Sequence, residues 1–564
     1  MGTIKSSRTL FFTTSPRSPH KLIPEIKLLV DSFSGQIWSG RAGCQKAFAE
    51  VLASASAFHG QTSKKYSEFS ARDRITRSPQ GLGFVDLSPT ICLTDAGNEF
   101  IYGRRPHEIF FRQLLKFQIP SIYHSEAKKL KGTFWGHPYL EIIRLIRDLE
   151  FLSPDEFRIF ALQLTDFRKY DEIKQAIVSF RKEKTRHAGA YKKFVDDTMT
   201  EEVMRIYSTE IESGQFATRQ SKTTNAKSFV AKMKRNMKDY TDACFRCLRY
   251  TEMFLSDGRS LRIAPDKLEE IDYVLATVDR NPIFLNDKKR YKEYLFSSLE
   301  PRLLSDDRDK LEDTLMRFHS FTKRELAGRS IIELKDLRDE AVQRKRIAVV
   351  QEQERELKSY ALYQEVVDTF DQIISEEIYD APLFLEWNTW RAMTMLDGGR
   401  ITGNFKVDDT GKPISTAQGN MPDIECDYDD FALSVEVTLQ RGQRQYEAEG
   451  EPVTRHYANL SKQSGKETFC LFIAPTISKA TWAHFFGLNQ IKNIAAYGGT
   501  PKIVPLELDT FMKLVENSYT YAETPKPSDV RSFLQDAIKA IMQSEDENDW
   551  QKKIQDCVDY WLIA

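Results

Sequence analysis

Short segments rich in apolar residues are prominent in the last third of the chain. Those at 431–439, 468–474 and 502–506 predict buried strands, and the segment 404–407 predicts a further, shorter strand. Residues 479–486 have the periodicity of a helix between two of these strands. Residues 383–390 predict another helix, whose apolar stripe brings Glu386 close to the core. Strands with intervening helices indicate an α/β sandwich, and we assign residues 376–564 to this domain.

The first 290 residues instead predict small helical units joined by short strands. A helix around 69–77 is followed by short strands near 81–86 and 91–94 and by a new helix at Asp95. This order is typical of a winged helix. A second unit begins near Ser153, which predicts an N-cap with Pro154 at the first helical position and Glu156 completing a capping box. Residues 254–263 predict a β-hairpin with a Gly-containing turn.

Residues 291–375 form a third region, in which glycine and proline become scarce and charges of both signs alternate. The pattern predicts solvated helices that join two domains. The apolar positions do not keep a heptad repeat, which argues against a long coiled coil. The expected fold class is therefore multidomain α+β, with a winged-helix-like domain at 1–290, a helical linker at 291–375 and an α/β domain at 376–564.

Composition excludes several classes of protein. No run of about 18 apolar residues exists, so no transmembrane helix is predicted. The N-terminus lacks the apolar core of a signal peptide, and we expect a cytoplasmic protein. Seven irregularly spaced cysteines do not predict a disulfide framework. Cys244 and Cys247 form a lone CxxC within a helical segment, where packing is the favoured interpretation over a zinc or redox site.

The net charge of −1 conceals a segregation of charge along the chain. Residues 1–250 hold 41 Lys and Arg against 27 Asp and Glu, whereas residues 251–564 hold 40 against 55. A basic half joined to an acidic half indicates that the first half binds a polyanion.

Two carboxylates mark the strongest candidate for a reactive site. Glu436 interrupts the apolar segment 431–439, and Asp423 precedes it by thirteen residues. Carboxylates at the end of a buried strand pair are costly unless a cation neutralises them, and Mg²⁺ prefers such oxygen ligands. We therefore predict Asp423, Glu436 and the Val437 carbonyl as Mg²⁺ ligands. Mg²⁺ can activate a water molecule and neutralise a phosphate, and phosphodiester hydrolysis requires both.

Other candidates surround this pair. Strand alternation directs Thr438 to the same side as Glu436. The arrangement resembles a PD-(D/E)xK nuclease centre, which has a lysine at this position. A threonine cannot supply the positive charge of that lysine. Arg455 and His456 are candidates for that cationic role. Glu386 and Glu449 are candidate outer or second-metal ligands, although taken alone each also fits a solvated acidic surface. The chain contains no HExxH, Walker A, GxGxxG or GxSxG motif.

Two basic clusters are candidates for DNA contact. Arg72, Arg74 and Arg77 form the first, and arginine reads guanine edges bidentately. The second is a stripe at helical spacing that contains Lys232, Lys234, Arg235 and Lys238. Either cluster also fits a solvated helix face.

Over nearly its whole length the chain resembles the type IIS restriction endonucleases and related nicking endonucleases around MlyI, PleI and AlwI. The segments that carry the resemblance are 15–18, 71–77, 93–98, 236–239, 384–388, 422–425, 435–438, 451–457 and 470–475.

This resemblance implies a winged-helix-like recognition domain, a helical linker and a C-terminal cleavage domain of the PD-(D/E)xK type. It implies an asymmetric five-base-pair site, plausibly GAGTC, with Mg²⁺-dependent cutting a few base pairs to one side. The family's acidic catalytic residues map onto Glu386, Asp423, Glu436 and Glu449, and members of the group share the missing lysine. A cognate DNA methyltransferase is the expected companion of such an enzyme.

Two other functions stay open. One is a strand-specific nicking enzyme, the large subunit of a heterodimer, since one active site cuts one strand. A double-strand cutter would need a second site, from a transient homodimer of cleavage domains or from a small nuclease subunit. The other is a DNA-binding protein whose nuclease domain has decayed, which four intact carboxylates disfavour.

Overall fold

The computed structural model describes residues 8–39, 43–54, 67–123, 134–214, 216, 225–396, 399–417, 421–521 and 525–563. The chain divides into two compact units, Met1–Asp339 and Glu340–Ala564. The division lies inside the segment 291–375. As predicted, the chain is a mixed α and β protein, mostly helical, with one small mixed sheet.

The first unit is built mainly from helices with two short antiparallel strand pairs. Its elements are α1 (Leu22–Phe33), α2 (Cys44–Ser54), α3 (Ser67–Arg77), β1 (Val85–Asp86), β2 (Cys92–Leu93), α4 (Asp95–Tyr102), α5 (Pro106–Lys116), α6 (Pro138–Leu149), α7 (Pro154–Ile159), α8 (Tyr170–Arg186), α9 (Tyr191–Ile206), α10 (Ser208–Glu212), α11 (Ala226–Tyr250), β3 (Phe254–Ser256), β4 (Leu261–Ile263), α12 (Leu268–Thr277), α13 (Lys288–Phe296), α14 (Arg308–His319) and α15 (Lys323–Leu326).

Local sequence signals account for several of these boundaries. Helix α7 begins with the predicted capping box: Glu156 N donates to Ser153 Oγ over 3.3 Å, and Ser153 N donates to Glu156 Oε2 over 2.9 Å. The order helix, strand, strand, helix predicted for 69–102 is present as α3, β1, β2 and α4. The predicted hairpin is present as β3 and β4, in antiparallel register. Cys244 and Cys247 are both buried in α11, in keeping with packing.

A buried network of charges joins α5 to later parts of this unit. Arg112 donates to Glu108 Oε1 and to Asp306 Oδ1, over 3.0 and 2.8 Å. Lys335 Nζ reaches the same two carboxylates, over 2.7 and 2.8 Å. Lys335 belongs to α16 (Ile331–Lys358), the long helix in which the chain passes from the first unit to the second.

The second unit surrounds a five-stranded mixed sheet. Its elements after α16 are α17 (Tyr363–Ile374), α18 (Ala381–Met395), β5 (Arg400–Gly403), β6 (Lys406–Val407), β7 (Pro413–Ser415), β8 (Ile424–Asp427), β9 (Phe431–Val437), α19 (Gln443–Ser464), β10 (Glu467–Ala474), α20 (Lys479–Gln490), β11 (Ile503–Glu507), α21 (Leu508–Thr520), α22 (Pro527–Lys539) and α23 (Glu547–Asp559).

The sheet has the strand order β11-β10-β9-β8-β5. Strand β10 pairs in parallel with β9 and β11, whereas β8 pairs antiparallel with β9 and β5. The three strands predicted from apolar runs are therefore β9, β10 and β11, and the predicted intervening helix is α20. The strand predicted at 404–407 is shorter than expected: β6 holds only Lys406–Val407 and pairs with β7 as a separate hairpin.

Helices cover this sheet and complete one apolar core. Helix α19 packs on β9 and β10, and α18 packs on β5 and α21. Strand residues such as Leu433, Val435, Phe472 and Ile503 are fully buried. None of the helices that the structure describes is both long and apolar enough to cross a membrane.

Candidate active site

Asp423 and Glu436 face each other at one end of the β8–β9 pair. Ile424 pairs with Val435 in antiparallel register, and extending that register by one residue places Asp423 opposite Glu436. Directly opposed side chains lie on the same face of a sheet, so the two carboxylates share a face. Val437 N donates to Asp423 Oδ2 over 2.8 Å, which fixes the aspartate against β9. The predicted pair is thus formed by strand geometry.

Glu386 approaches this pair from α18. The helix is buried along almost its whole length, and Glu386 is itself buried. One of its oxygens accepts a hydrogen bond from Ala417 N over 3.0 Å. Glu386 and Asp423 interact electrostatically, so the structure brings this predicted residue together with the strand pair.

Helix α19 supplies two further predicted residues, Glu449 and His456. They lie seven residues apart and therefore project from one face of the helix. His456 Nδ1 lies 2.9 Å from Glu436 Oε1. Thr438 lies near Glu449, where its hydroxyl acts to lower the pKa of that carboxyl. Thr438 therefore contributes a neutral hydroxyl to the cluster and no positive charge.

The carboxylates of this cluster repel one another in a buried setting. Burial raises the pKa of Asp423 well above its usual range, and the charges of Glu436 and Glu449 raise it further. Burial likewise raises the pKa of Glu436, with Glu449 and Glu386 adding to the effect. The pKa of Glu386 is raised by burial and by Asp423. Such mutual perturbation is typical of functional sites and is relieved by a cation.

The positive charge near the cluster comes from Arg455. Its guanidinium acts to lower the pKa of Glu436, and it also pairs with Glu451 over 3.1 Å. Burial, followed by the charge of Arg455, lowers the pKa of His456 to about 4. His456 is therefore a neutral imidazole at neutral pH, and of the two predicted cationic candidates only Arg455 carries charge there.

Asn404 is a site residue that the sequence pattern did not single out. Its backbone N donates to the Asp423 carbonyl over 3.0 Å, and its Nδ2 donates to the Pro422 carbonyl over 2.9 Å. It supports the turn that carries Asp423. The strand predicted at 404–407 would contain Asn404, whereas Asn404 follows β5. An asparagine at the end of a short strand is the signal that would have indicated a turn-supporting role.

The donor chemistry of this cluster fits a hard divalent cation. Carboxylate oxygens such as those of Asp423 and Glu436, and a backbone carbonyl such as that of Val437, are the ligand types that Mg²⁺ takes. Within the described ranges, no three His, Cys, Asp or Glu side chains are close enough together to hold a metal ion as they stand.

The first basic cluster is extensively ion-paired. Arg74 on α3 forms a bidentate pair with Glu25 on α1, with Nε 2.9 Å from Oε2. Asp73 accepts from Arg72 over 3.0 Å and from Arg77 over 2.6 Å. The Arg74–Glu25 pair is nearly buried, with side chains 14% and 8% exposed, whereas Arg72 and Arg77 are half-buried.

The second basic cluster lies on α11 and differs in exposure along the stripe. Lys234 pairs with Asp196 over 2.5 Å and with Thr200 Oγ1 over 2.9 Å, both on α9. Lys232 is half-buried, and Arg235 and Lys238 are exposed. Arg235 and Lys238 are thus the members of this stripe most accessible to a polyanion.

Comparison with known families identifies the class of protein. The model of the AlwI restriction endonuclease family matches residues 80–514, which is 435 of the 564 residues. The chain belongs to the AlwI restriction endonuclease family. This restriction endonuclease is a site-specific deoxyribonuclease, and the matched range contains all five acidic and histidine candidates of the site.

Two solved structures are similar to parts of this endonuclease. One is the small subunit (R.BspD6I2) of the heterodimeric restriction endonuclease R.BspD6I, at 27% identity, covering 35% of this chain and 98% of that chain with a TM-score of 0.30. The other is the BpuJ1 endonuclease binding domain in complex with pyrene- and phenanthrene-modified DNA, at 14% identity, covering 51% of this chain and 93% of that chain with a TM-score of 0.30. Comparison with curated proteins found no match.

Proposed function

We propose that this chain is a type IIS restriction endonuclease that binds a short asymmetric DNA site and cuts a few base pairs outside it with Mg²⁺. The observation that carries the catalytic part is the opposition of Asp423 and Glu436 on one face of β8–β9. The resemblance to the MlyI, PleI and AlwI group supports the asymmetric site and suggests GAGTC. Cleavage belongs to a PD-(D/E)xK centre in the second unit, in a cytoplasmic protein.

Asp423, Glu436 and the Val437 carbonyl would hold Mg²⁺, with Glu386 and Glu449 as outer ligands. A Mg²⁺ ion held by these residues would supply water activation and charge neutralisation at the scissile phosphate. The Val437 N–H keeps Asp423 oriented, and Thr438 keeps Glu449 oriented. Thr438 can therefore occupy the position at which related nucleases have a lysine, because its hydroxyl orients Glu449, a proposed metal ligand.

His456 contributes a proton acceptor. The tautomer that fits an ionised Glu436 carries its proton on Nδ1 and donates it to Oε1. Nε2 then carries a lone pair that can accept the proton of the attacking water. Arg455 supplies the fixed positive charge that the motif lysine would otherwise provide.

DNA recognition belongs to the first unit, with winged-helix-like segments that contain α3, β1, β2 and α4. The residues proposed to contact DNA are Arg72, Arg74 and Arg77 on α3 and Lys232, Lys234, Arg235 and Lys238 on α11. Their positive charge suits a phosphate backbone, and arginine also suits guanine edges. The paired states of Arg72, Arg74 and Arg77 require these arginines to exchange carboxylate partners for DNA.

One active site cuts one strand, so double-strand cleavage requires a second site. A transient homodimer of cleavage domains or a small nuclease subunit would supply it, and a cognate methyltransferase would protect the host site. If no second site is recruited, the same chemistry gives a strand-specific nicking enzyme.

Supercoiled plasmid with one GAGTC sequence, incubated with the protein and Mg²⁺, tests this proposal. We expect linear product with ends at a fixed offset from the site, and no reaction on a matched plasmid that lacks it. Nicked circles alone would favour the nicking enzyme. Specific binding without any cleavage would favour a decayed nuclease, and Asp423→Asn provides the matched inactive control.

A further inference from the structure

The β6–β7 hairpin connects β5 to β8, and both of its ends adjoin a carboxylate of the active site. Before the hairpin, Asn404 binds the backbone of Asp423 and Pro422, over 3.0 and 2.9 Å. After the hairpin, Ala417 N donates to Glu386 over 3.0 Å. The position of the hairpin therefore affects where two of the proposed ligands stand.

The tip of this hairpin is attached to α16. Arg346 Nε lies 2.7 Å from Asp409 Oδ1, and the two side chains are only 12% and 17% exposed. Gly411 packs so closely on Gln353 that a Cβ at position 411 would lie 2.5 Å from its Nε2. Gly411 also has a φ of +77°, which favours glycine. The tip is thus closely packed against one face of α16.

The tip is internally stiff. Asp408 Oδ1 accepts hydrogen bonds from Thr410 N over 2.8 Å, from Thr410 Oγ1 over 2.7 Å and from Lys412 N over 3.1 Å. Asp408 N in turn donates to the Lys412 carbonyl over 2.8 Å. Because the turn is closed by these bonds, a displacement at Asp409 is passed on to the strands of the hairpin.

A third attachment joins the hairpin to the helix that carries Glu386. Lys412 Nζ lies 4.4 Å from the ring centre of Trp387, the residue after Glu386, and 3.6 Å from a Glu365 oxygen on α17. The hairpin consequently bridges α16 on one side and α17 and α18 on the other.

We propose that Arg346 and Asp409 are positioning residues for DNA cleavage, acting through the β6–β7 hairpin on Glu386 and Asp423. Neither residue belongs to the active site. The inference rests on the proposed function, in which Glu386 and Asp423 are metal ligands. Residues that orient metal ligands commonly control metal affinity and activity as strongly as about 10–100-fold. Helix α16 begins in the first unit and holds Arg346 within the second, so the attachment lies on the chain segment shared by both units.

Arg346→Ala and Asp409→Ala in the full-length protein test the inference. Calorimetric titration of the protein with Mg²⁺ in the absence of DNA should show about 10-fold weaker binding. Cleavage kcat should fall by about 10-fold at subsaturating Mg²⁺ and recover at high Mg²⁺, while specific DNA binding stays unchanged. The charge-exchanged double variant Arg346→Asp with Asp409→Arg should regain much of the Mg²⁺ affinity, which a loss of packing alone would not allow.

Arg531→Ala is the matched control. Arg531 on α22 pairs with Glu467 over 2.5 Å, at the opposite end of the strands from Asp423 and Glu436. It should leave Mg²⁺ affinity and kcat unchanged. If Arg346→Ala behaves like wild type, or if Arg531→Ala reduces Mg²⁺ affinity equally, the inference is wrong. If Asp423→Asn retains Mg²⁺ binding and cleavage, the proposed function itself fails.

Discussion

His456 on α19 places its Nδ1 2.9 Å from Glu436 Oε1 on β9. The contact connects a neutral imidazole to a carboxylate whose pKa is raised by burial and by its acidic neighbours. It links a residue of α19 directly to the strand pair and gives the histidine two candidate roles: orienting Glu436 and accepting a proton.

Two substitutions distinguish these roles. His456→Gln keeps an N–H that can donate to Glu436 but removes the proton acceptor, so kcat should fall by about 100-fold with little change in the Mg²⁺ dependence. His456→Ala loses both functions and should also require more Mg²⁺. Single-turnover cleavage across a Mg²⁺ series measures both effects, and a His456→Gln enzyme with wild-type kcat would limit His456 to orientation.

The low pKa of His456 also predicts a pH profile. With a pKa of about 4, the imidazole is already neutral at pH 6 and stays neutral at pH 8. Cleavage should therefore show no histidine titration between these values at saturating Mg²⁺. A rate that rises with an apparent pKa near 6.5 in the wild type and loses that dependence in His456→Gln would contradict this.

Asp423 and Glu436 could be predicted from the sequence because an acidic residue inside an otherwise apolar strand is unusual. Placing both carboxylates on one pair of adjacent strands requires only local information. The connection from His456 to Glu436 required the packing of α19 on β9, which no periodicity in either segment specifies. The β6–β7 hairpin was missed because the four residues 404–407 are too few to show that one strand ends at Gly403 and another begins at Lys406.

Arg74 illustrates the same limitation in the first unit. The sequence groups it with Arg72 and Arg77, whereas its guanidinium is held by Glu25, 49 residues away. A basic cluster indicates charge, but the partners that neutralise the charge are set by tertiary contacts. The structure therefore divides a cluster that appears uniform in the sequence.

The carboxylate cluster predicts how stability depends on pH and metal. Raised pKa values in the folded state mean that the fold binds protons more tightly than the unfolded chain does, so stability falls as pH rises above the usual carboxyl range. In a chelator, these groups should lower the melting temperature of the second unit as the pH rises above the usual carboxyl range, which begins at about pH 4. Mg²⁺ should raise the melting temperature more at the higher pH.

Asp423→Asn tests the origin of this effect. The amide oxygen still accepts from Val437 N while the charge is removed, so the metal-free protein should melt about 2–4 °C higher at pH 8, as expected for about 1 kcal/mol. The variant should lose its response to Mg²⁺. Scanning calorimetry measures both, and Asp430→Asn, on the exposed β8–β9 turn, provides a control that removes a charge elsewhere.

Among the arginines of α3, Arg74 should have a structural role in addition to its proposed contact with DNA. Arg74→Ala leaves Glu25 buried without its partner and should destabilise the first unit by about 3 kcal/mol. Arg72→Ala or Arg77→Ala should instead relax discrimination at one base pair by about 1–3 kcal/mol. Urea unfolding measures the loss of stability, and binding to every single-base variant of the site measures the loss of discrimination. If all three variants keep wild-type discrimination, base reading lies elsewhere, and the exposed Arg235 and Lys238 become the next candidates.

The boundary of the recognition unit gives the last prediction. We expect a fragment of residues 1–339 to fold and to bind the recognition sequence with a steep dependence on salt. A fragment ending at residue 290 lacks Asp306 and Lys335, which neutralise Arg112 and Glu108 on α5. In the shorter fragment Arg112 and Glu108 keep only their contact with each other. Breaking a buried charge network by removing its other members costs about 3–5 kcal/mol, so the shorter fragment should be much less stable.

Circular dichroism and salt-dependent gel shifts on both fragments test this boundary. Asp306→Asn with Lys335→Met in the 1–339 fragment is the matched control, because it removes the same two charges while keeping the chain length. If this variant loses most of the stability that truncation removes, the charge network is responsible. A stable, DNA-binding fragment of residues 1–290 would show instead that α5 tolerates its buried charges, and that the recognition domain ends where the sequence pattern placed it.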